Sequence, residues 1–311
     1  MYSLIGDSSI VNRKYIANCK NCKFVSMQAV LITGVSTGIG YASAKYLKDK
    51  GFHVFGSVRS PEDAARLEKE IGPGFTALIF DIKNRNAVFA AAEKVKSIIR
   101  ESYLRAIVNN SGIAISGPLQ HISIDKFREQ QEVNVIGTLN VIQAFLPLLG
   151  AVKNQIDKPG KIINISSVSG RIARPFYGPY AASKHAIEAM TGSLRRELID
   201  FGIDVVAIEP GPTKSLAYQK AKEDEDTFEG TIYHELYQHK NKFIEFAQKV
   251  SIPAEHVARL IHETILSTKP KARNIIVAKK WYIQLLTLLP DRVVDKMITN
   301  QMKGIVKKGM K

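Results

Sequence analysis

Cysteine is nearly missing from this 311-residue chain, and both copies, Cys19 and Cys22, stand among the first 26 residues. No disulfide can therefore staple the remaining body, which suits a reducing compartment, and a cytoplasmic protein is expected. Cys19-x-x-Cys22 has the spacing of half a zinc site, but no second such pair and no paired histidines follow, so no metal is expected. No run of roughly 18 or more consecutive apolar residues exists, which leaves no candidate for a bilayer-spanning helix by that count. Residues 1–26 are polar and mixed and lack the apolar stretch of a secretory signal; they read as a disordered extension. Acid is scarce at the other end. Over 269–311 eleven Lys or Arg face only Asp291 and Asp295, so most of the net charge of +15 sits in this tail. The rest is only mildly basic and carries no nucleic-acid motif, so no nucleic-acid partner is expected.

What is present is ordinary in amount, 45% hydrophobic and 23% charged, and ample for a buried core. Apolar runs at 28–33, 52–57, 75–80, 104–109, 161–166 and 203–208 are too continuous for a one-sided sheet. A further strand is expected at 273–278. Helical stretches near 38–50, 61–71, 84–101, 123–149 and 177–200 alternate with them. The pattern predicts an α/β protein: a doubly wound parallel sheet of about seven strands in three layers, forming a single domain over 27–280. The charged stretch 216–249 interrupts the rhythm beyond the sixth strand, where ligands of open α/β sheets bind. It reads as a lid insertion or as a surface helical excursion.

The first strand runs into Thr33-Gly34-Val35-Ser36-Thr37-Gly38-Ile39-Gly40. Glycines between a strand and a helix let backbone approach a pyrophosphate, and a helix N-terminus offers it free N–H groups and a positive dipole end. The second strand ends at Gly56-Ser57-Val58-Arg59-Ser60 without the acid that would meet the ribose of NAD. Arg59 can instead meet a 2′-phosphate, so NADP(H) is favoured over NAD(H).

Tyr180 and Lys184 stand four apart on an expected helix, one above the other on one face, with Ser167 thirteen residues earlier. An ammonium beside a phenol lowers a pKa that is ordinarily about 10, which predicts an acid/base tyrosine. His185 projects to another helix face and reads as packing, and His53 and His121 have no evident partner.

Together these segments resemble the short-chain dehydrogenase/reductase family over roughly 27–278. Thr33-Gly34-x-x-x-Gly38-Ile39-Gly40 resembles its cofactor signature, and Asp81-Ile82 its adenine-contacting pair. Asn109-Asn110-Ser111-Gly112 is similar to its Asn-Asn-Ala-Gly, with serine for alanine. Pro210-Gly211-Pro212-Thr213-Lys214-Ser215 resembles its Pro-Gly-x-x-x-Thr segment by the nicotinamide, with Ser215 in the threonine's place. Asn134, Ser167, Tyr180 and Lys184 match its catalytic set. The stretch from Ser166 to Arg171, followed by Pro175 to Tyr180, is similar to the steroid and retinol dehydrogenase-like branch.

The resemblance implies an NADP(H)-dependent oxidoreductase interconverting an alcohol and its carbonyl. Ser167 and Tyr180 would hold the carbonyl oxygen, Lys184 would serve the tyrosine and the nicotinamide ribose, and Asn134 would hold a water leading to Lys184. Leu119, Phe176 and Tyr177 are candidates for the substrate cavity. Apolar loops and tail favour a lipophilic substrate of steroid, retinoid or fatty type. A homodimer or homotetramer is expected. Residues 281–311 are basic and amphipathic on both sides of Pro290. They can lie on an anionic membrane, cap the cleft or dock on a neighbouring subunit. A non-catalytic NADP-binding redox sensor or a membrane-surface regulator is the alternative function.

Overall fold

The computed structural model describes residues 27–150, 159–214 and 228–308. The N-terminal extension with Cys19 and Cys22, Ser215 and the lid stretch 216–227 lie outside the described residues. Seven strands form one parallel sheet: β1 (Ala29–Ile32), β2 (His53–Val58), β3 (Phe75–Ile79), β4 (Leu104–Asn109), β5 (Lys161–Ile165), β6 (Val205–Pro210) and β7 (Arg273–Ile276). Their order is β3-β2-β1-β4-β5-β6-β7. Every residue of β1, β5 and β6 is buried. Such burial explains the unbroken apolar runs, because both faces of a parallel sheet are covered.

Helices α1 (Gly38–Asp49), α2 (Pro61–Ile71) and α9 (Ala254–Leu266) cover one face, packing Leu47, Leu67 and Ile261 against Val54, Val108 and Ile208. On the other face lie α3 (Arg85–Ile99), α4 (Ile124–Gln131), α5 (Gly137–Phe145) and α6 (Gly178–Glu197). Val95, Phe145 and Leu149 meet Phe55 and Ile107 there. The strand order reverses between β1 and β4, and the crevice beyond their carboxyl ends is the binding position of such sheets.

The expected helix 123–149 is not one α-helix. A π-helical turn at Glu132–Ile136 separates α4 from α5, and a 3₁₀ turn at Leu146–Leu149 ends the run. By length and composition this run reaches the level of a membrane span, which a count of consecutive apolar residues does not reveal. It lies in the fold as a core helix, with Val141, Ile142 and Phe145 packed on the sheet.

The described part of the expected lid holds α7 (His234–Tyr237) and α8 (Lys240–Lys249). The tail folds as α10 (Lys280–Leu286) and α11 (Asp291–Lys308) on either side of Pro290. Proline lacks the N–H that would continue the first helix.

Candidate active site

Four chain crossings meet at the carboxyl end of the sheet. After β1 the Thr33 hydroxyl accepts the backbone N–H groups of Asn110 and Ser111, each at 3.0 Å. The Asn110 amide donates back to the carbonyls of Thr33 and Gly34 at 2.9 and 3.0 Å. The loops after β1 and β4 are thereby locked together. Ser57 of β2 fixes the turn from the other side, accepting the Gly34 N–H on its hydroxyl at 3.1 Å. Arg66 of α2 donates to the Ser36 carbonyl at 3.0 Å.

Gly34 and Gly38 adopt φ of 70° and 61°, a region disfavoured for side-chain-bearing residues. A Cβ on Gly40 would stand 2.1 Å from the Gly34 carbonyl oxygen, so only glycine lets α1 start against this turn. Helices α2, α3 and α4 are capped by Ser60, Asn84 and Ser123, whose side chains accept from Asp63, Ala87 and Lys126. Helix α1 has no side-chain cap and no acid in its first turn. Its first N–H groups and dipole thus keep their capacity for an external anion. The turn and helix fit the pyrophosphate of a dinucleotide. Arg59 is exposed at the end of β2 and engages no hydrogen bond or ion pair among the described residues. Asp81 uses one carboxylate oxygen to accept the Lys83 N–H at 2.9 Å, and Ile82 is buried beside Gly137.

Ser167, Tyr180 and Lys184 converge beyond β5. The Ser167 hydroxyl lies beside the Tyr180 phenol; it accepts the Ser169 N–H at 3.1 Å and donates to the Pro210 carbonyl at 3.5 Å. Lys184 Nζ lies 5.6 Å from the Tyr180 ring centre and donates to the Ile165 carbonyl at 2.8 Å. The i, i+4 expectation on α6 holds. The expected pKa direction does not: burial pushes the Tyr180 phenol above its ordinary value, against the opposing pull of the neighbouring Ser167 hydroxyl. Burial also lowers the Lys184 ammonium to about 8, with Glu188 one turn on raising it. Removal from water is the largest cause of both shifts.

Asn134 is buried in the π-helical turn. Its side chain accepts the Ile113 N–H at 2.9 Å and donates to the Ile113 carbonyl and the Ser183 hydroxyl, both at 3.0 Å. Ser183 in turn donates to the Tyr180 carbonyl at 2.7 Å. Asn134 therefore braces the loop after Gly112 against the helix that carries Tyr180. Past β6 the Gly211 N–H donates to the Ile276 carbonyl at 2.9 Å, and the Thr213 hydroxyl donates to the Gly211 carbonyl at 3.0 Å.

A family model described as short chain dehydrogenase matches residues 28–226. The chain belongs to the short-chain dehydrogenase/reductase family. An NADPH-dependent 3-dehydrocapnine reductase of Ornithobacterium rhinotracheale is 40% identical over 280 residues, covering 90% of this chain and 99% of the relative. The uncharacterized oxidoreductase YbbO of Escherichia coli strain K12 is 34% identical, over 88% of this chain and 95% of its own length. Among solved structures, a short-chain dehydrogenase from Streptomyces avermitilis superposes with a TM-score of 0.71 at 22% identity, covering 92% and 99% of the two chains. That likeness supports the fold. As a short-chain dehydrogenase/reductase, the protein is an oxidoreductase.

Around this dehydrogenase/reductase site the substrate candidates share one rim. Phe176, at φ of 67°, has its carbonyl held by the Gly117 N–H at 2.7 Å. Its ring meets Tyr233 and Tyr237 edge-on at 5.9 and 6.0 Å. Phe228 stacks edge-on to Tyr237 at 4.7 Å. Leu119 is exposed beside Gly178 at the start of α6, next to the half-exposed Tyr177. Sequence reasoning read the stretch with Phe228, Tyr233 and Tyr237 only by its charge. The four-residue spacing of the two tyrosines was the signal for this aromatic face.

Three histidines differ from expectation. His185 is exposed, with a ring nitrogen 2.9 Å from the Ala181 carbonyl, and is not a packing residue. His53 meets Thr76 Oγ1 at 2.9 Å, and His121 meets the Tyr233 ring edge-on at 5.8 Å. A buried acidic pair was also missed. Glu188 accepts from Arg273 Nε at 2.9 Å, while Glu209 pairs with Arg171 at 3.5 Å and with Arg273 at 3.9 Å. Burial and the neighbouring Glu188 raise the Glu209 carboxyl above its ordinary pKa.

Proposed function

We propose that the protein is an NADP(H)-dependent oxidoreductase that interconverts an alcohol and its ketone or aldehyde on a lipophilic substrate, with Tyr180 as general acid/base. One observation supports the chemistry: the Tyr180 phenol stands beside the Ser167 hydroxyl, one helical turn from a buried lysine that still holds a proton at neutral pH. The nicotinamide cofactor, when bound, supplies the hydride chemistry.

This chain's own residues then divide the remaining work. The uncapped start of α1 and the glycine turn receive the pyrophosphate, and Arg59 receives the 2′-phosphate. The name of the 40% identical relative, an NADPH-dependent reductase, supports that choice of cofactor. Ser167 and Tyr180 hydrogen-bond the substrate oxygen. In the reducing direction the Tyr180 phenol donates its proton to that oxygen, and in oxidation the same site takes the proton back. The raised pKa keeps the phenol loaded with its proton near neutral pH, which suits donation. The Lys184 ammonium stabilises the phenolate left behind. The Asn134 side chain is committed to Ile113 and Ser183, and the Asn134 backbone carbonyl accepts the Thr138 hydroxyl at 2.8 Å. The apolar rim of Phe176, Phe228, Tyr233, Tyr237 and Leu119 supports a lipophilic substrate.

Tyr180→Phe is expected to lower kcat by about 10²–10⁴-fold, the usual contribution of a positioned proton donor, while NADPH binding persists. Steady-state kinetics on a panel of ketones and alcohols, with cofactor binding followed by nicotinamide fluorescence, checks both halves. Near-normal turnover in the variant would remove Tyr180 from the reaction.

A further inference from the structure

Helix α10 has two apolar faces, and the fold uses only one. Ile283 and Leu286 are buried; with Ile298 and Gln301 of α11 they line a hollow closed by Val168, Ile172 and Arg174. Val168 directly follows Ser167, so this inner face anchors the tail beside the active site. Trp281, Leu285 and Leu288 point the other way, 64%, 41% and 83% exposed. Trp281 and Leu285 stand one helical turn apart on α10, and Leu288 follows in the turn that closes it, its N–H donating to the Leu285 carbonyl at 3.0 Å, so the three form one exposed apolar patch. Large apolar side chains grouped in one exposed patch mark an interaction surface more often than chance scatter does.

Charge selects the partner. Lys279 and Lys280 are exposed where α10 begins, and Lys296 and Lys303 are exposed along α11, where Arg292 pairs with Asp295 at 3.8 Å. A second copy docked patch to patch about a two-fold axis would set these cations against their own counterparts. Three apolar side chains also fall well short of the roughly 800 Å² per partner that a stable protein interface buries. A bilayer with anionic headgroups meets both features. Apolar side chains enter the boundary between headgroups and acyl chains, lysines lie at the phosphates, and tryptophan favours that depth.

We infer that the Trp281–Leu285–Leu288 patch and its flanking lysines dock this enzyme peripherally on an anionic membrane surface. The inference is independent of the proposed reaction. The same helix would then hold the segment that follows Ser167, through Ile283 and Leu286, near the lipid surface.

Trp281 is the chain's only tryptophan, so its emission reports on the patch alone. The full chain is titrated with phosphatidylcholine vesicles that do or do not contain phosphatidylglycerol. With phosphatidylglycerol, Trp281 emission is expected to move to shorter wavelength and the protein to sediment with the vesicles. Both effects should weaken as salt screens the lysines. The double variant Leu285→Glu, Leu288→Glu alters only outward positions and should bind at least about tenfold more weakly. Its thermal midpoint, within a few degrees of the parent, shows that it is folded. An unchanged Trp281 spectrum on phosphatidylglycerol vesicles overturns the inference, as does undiminished binding by the folded variant. A lipid-free dimer in sedimentation velocity that the double variant dissolves would assign the patch to a second copy, and that also overturns it.

Discussion

Lys184 keeps only 6% of its surface in water, yet its ammonium retains a pKa of about 8 because Glu188, one helical turn on, works against burial. The facing charged groups are few. Arg273 of β7 holds Glu188, and Glu209 with Arg171 lies beyond it. Glu188 raises the lysine's pKa, so Glu188→Gln lowers it and Lys184 loses its proton at a lower pH. The alkaline limb of kcat/KM should therefore move to lower pH, and Glu188→Asp should restore part of the shift. A pH–rate profile with an unmoved alkaline limb would show that Lys184 does not depend on this carboxylate. Arg59 offers a second test at this scale. Arg59→Gln should weaken NADPH about 10–100-fold, the range expected for hydrogen bonds to a charged group, and leave NADH nearly unchanged. Titration with each cofactor separates the two. The partnership of Tyr180 with Lys184 was legible from four-residue spacing alone. The direction of their pKa shifts was not, because burial is set by the strands and loops packed over α6.

At the scale of elements, it is the glycine turn before α1, together with its uncapped start, that suits the proposed pyrophosphate site. Ser60, Asn84 and Ser123 close α2, α3 and α4, whereas α1 begins uncapped against the Gly34 turn. Gly40→Ala places a methyl group where the Gly34 carbonyl oxygen lies 2.1 Å away, and that atom belongs to rigid backbone. The turn must open, so a loss of about 1–3 kcal/mol is expected, as for other overpacked sites, together with weaker cofactor binding. Urea denaturation and NADPH titration of the variant measure both. The strand–turn–helix with its three glycines was readable because the constraint is local. The π-helical turn at Glu132–Ile136 was not. One extra residue per turn barely disturbs apolar periodicity, and the need for it lies in Ile113 and Ser183, which Asn134 must reach.

The whole molecule is a sheet between two separate cores. Phe145 sits fully buried on one face, and Leu47 fully buried on the other. Phe145→Ala should cost about 3–5 kcal/mol and Leu47→Ala about 2–5 kcal/mol. The sheet separates the two cavities, so the double variant should lose close to the sum of the single losses, within about 0.5 kcal/mol. Urea unfolding of the three variants checks this, and strong non-additivity would mean that strain crosses the sheet. Alternating apolar runs and helical stretches sufficed for the doubly wound fold, since continuous burial leaves an unbroken apolar signature in each strand. The glycine turn, the missing acid at the end of β2 and the Ser167, Tyr180, Lys184 set were likewise written in local order, because each depends on neighbours along the chain. Tertiary structure alone decided the rest. It set Glu188 and Glu209 against Arg273, gathered Phe176, Tyr233 and Tyr237 into one rim, and turned one face of α10 inward while leaving Trp281 outside. These features join residues far apart in sequence, and their energies arise only when packing removes water between them.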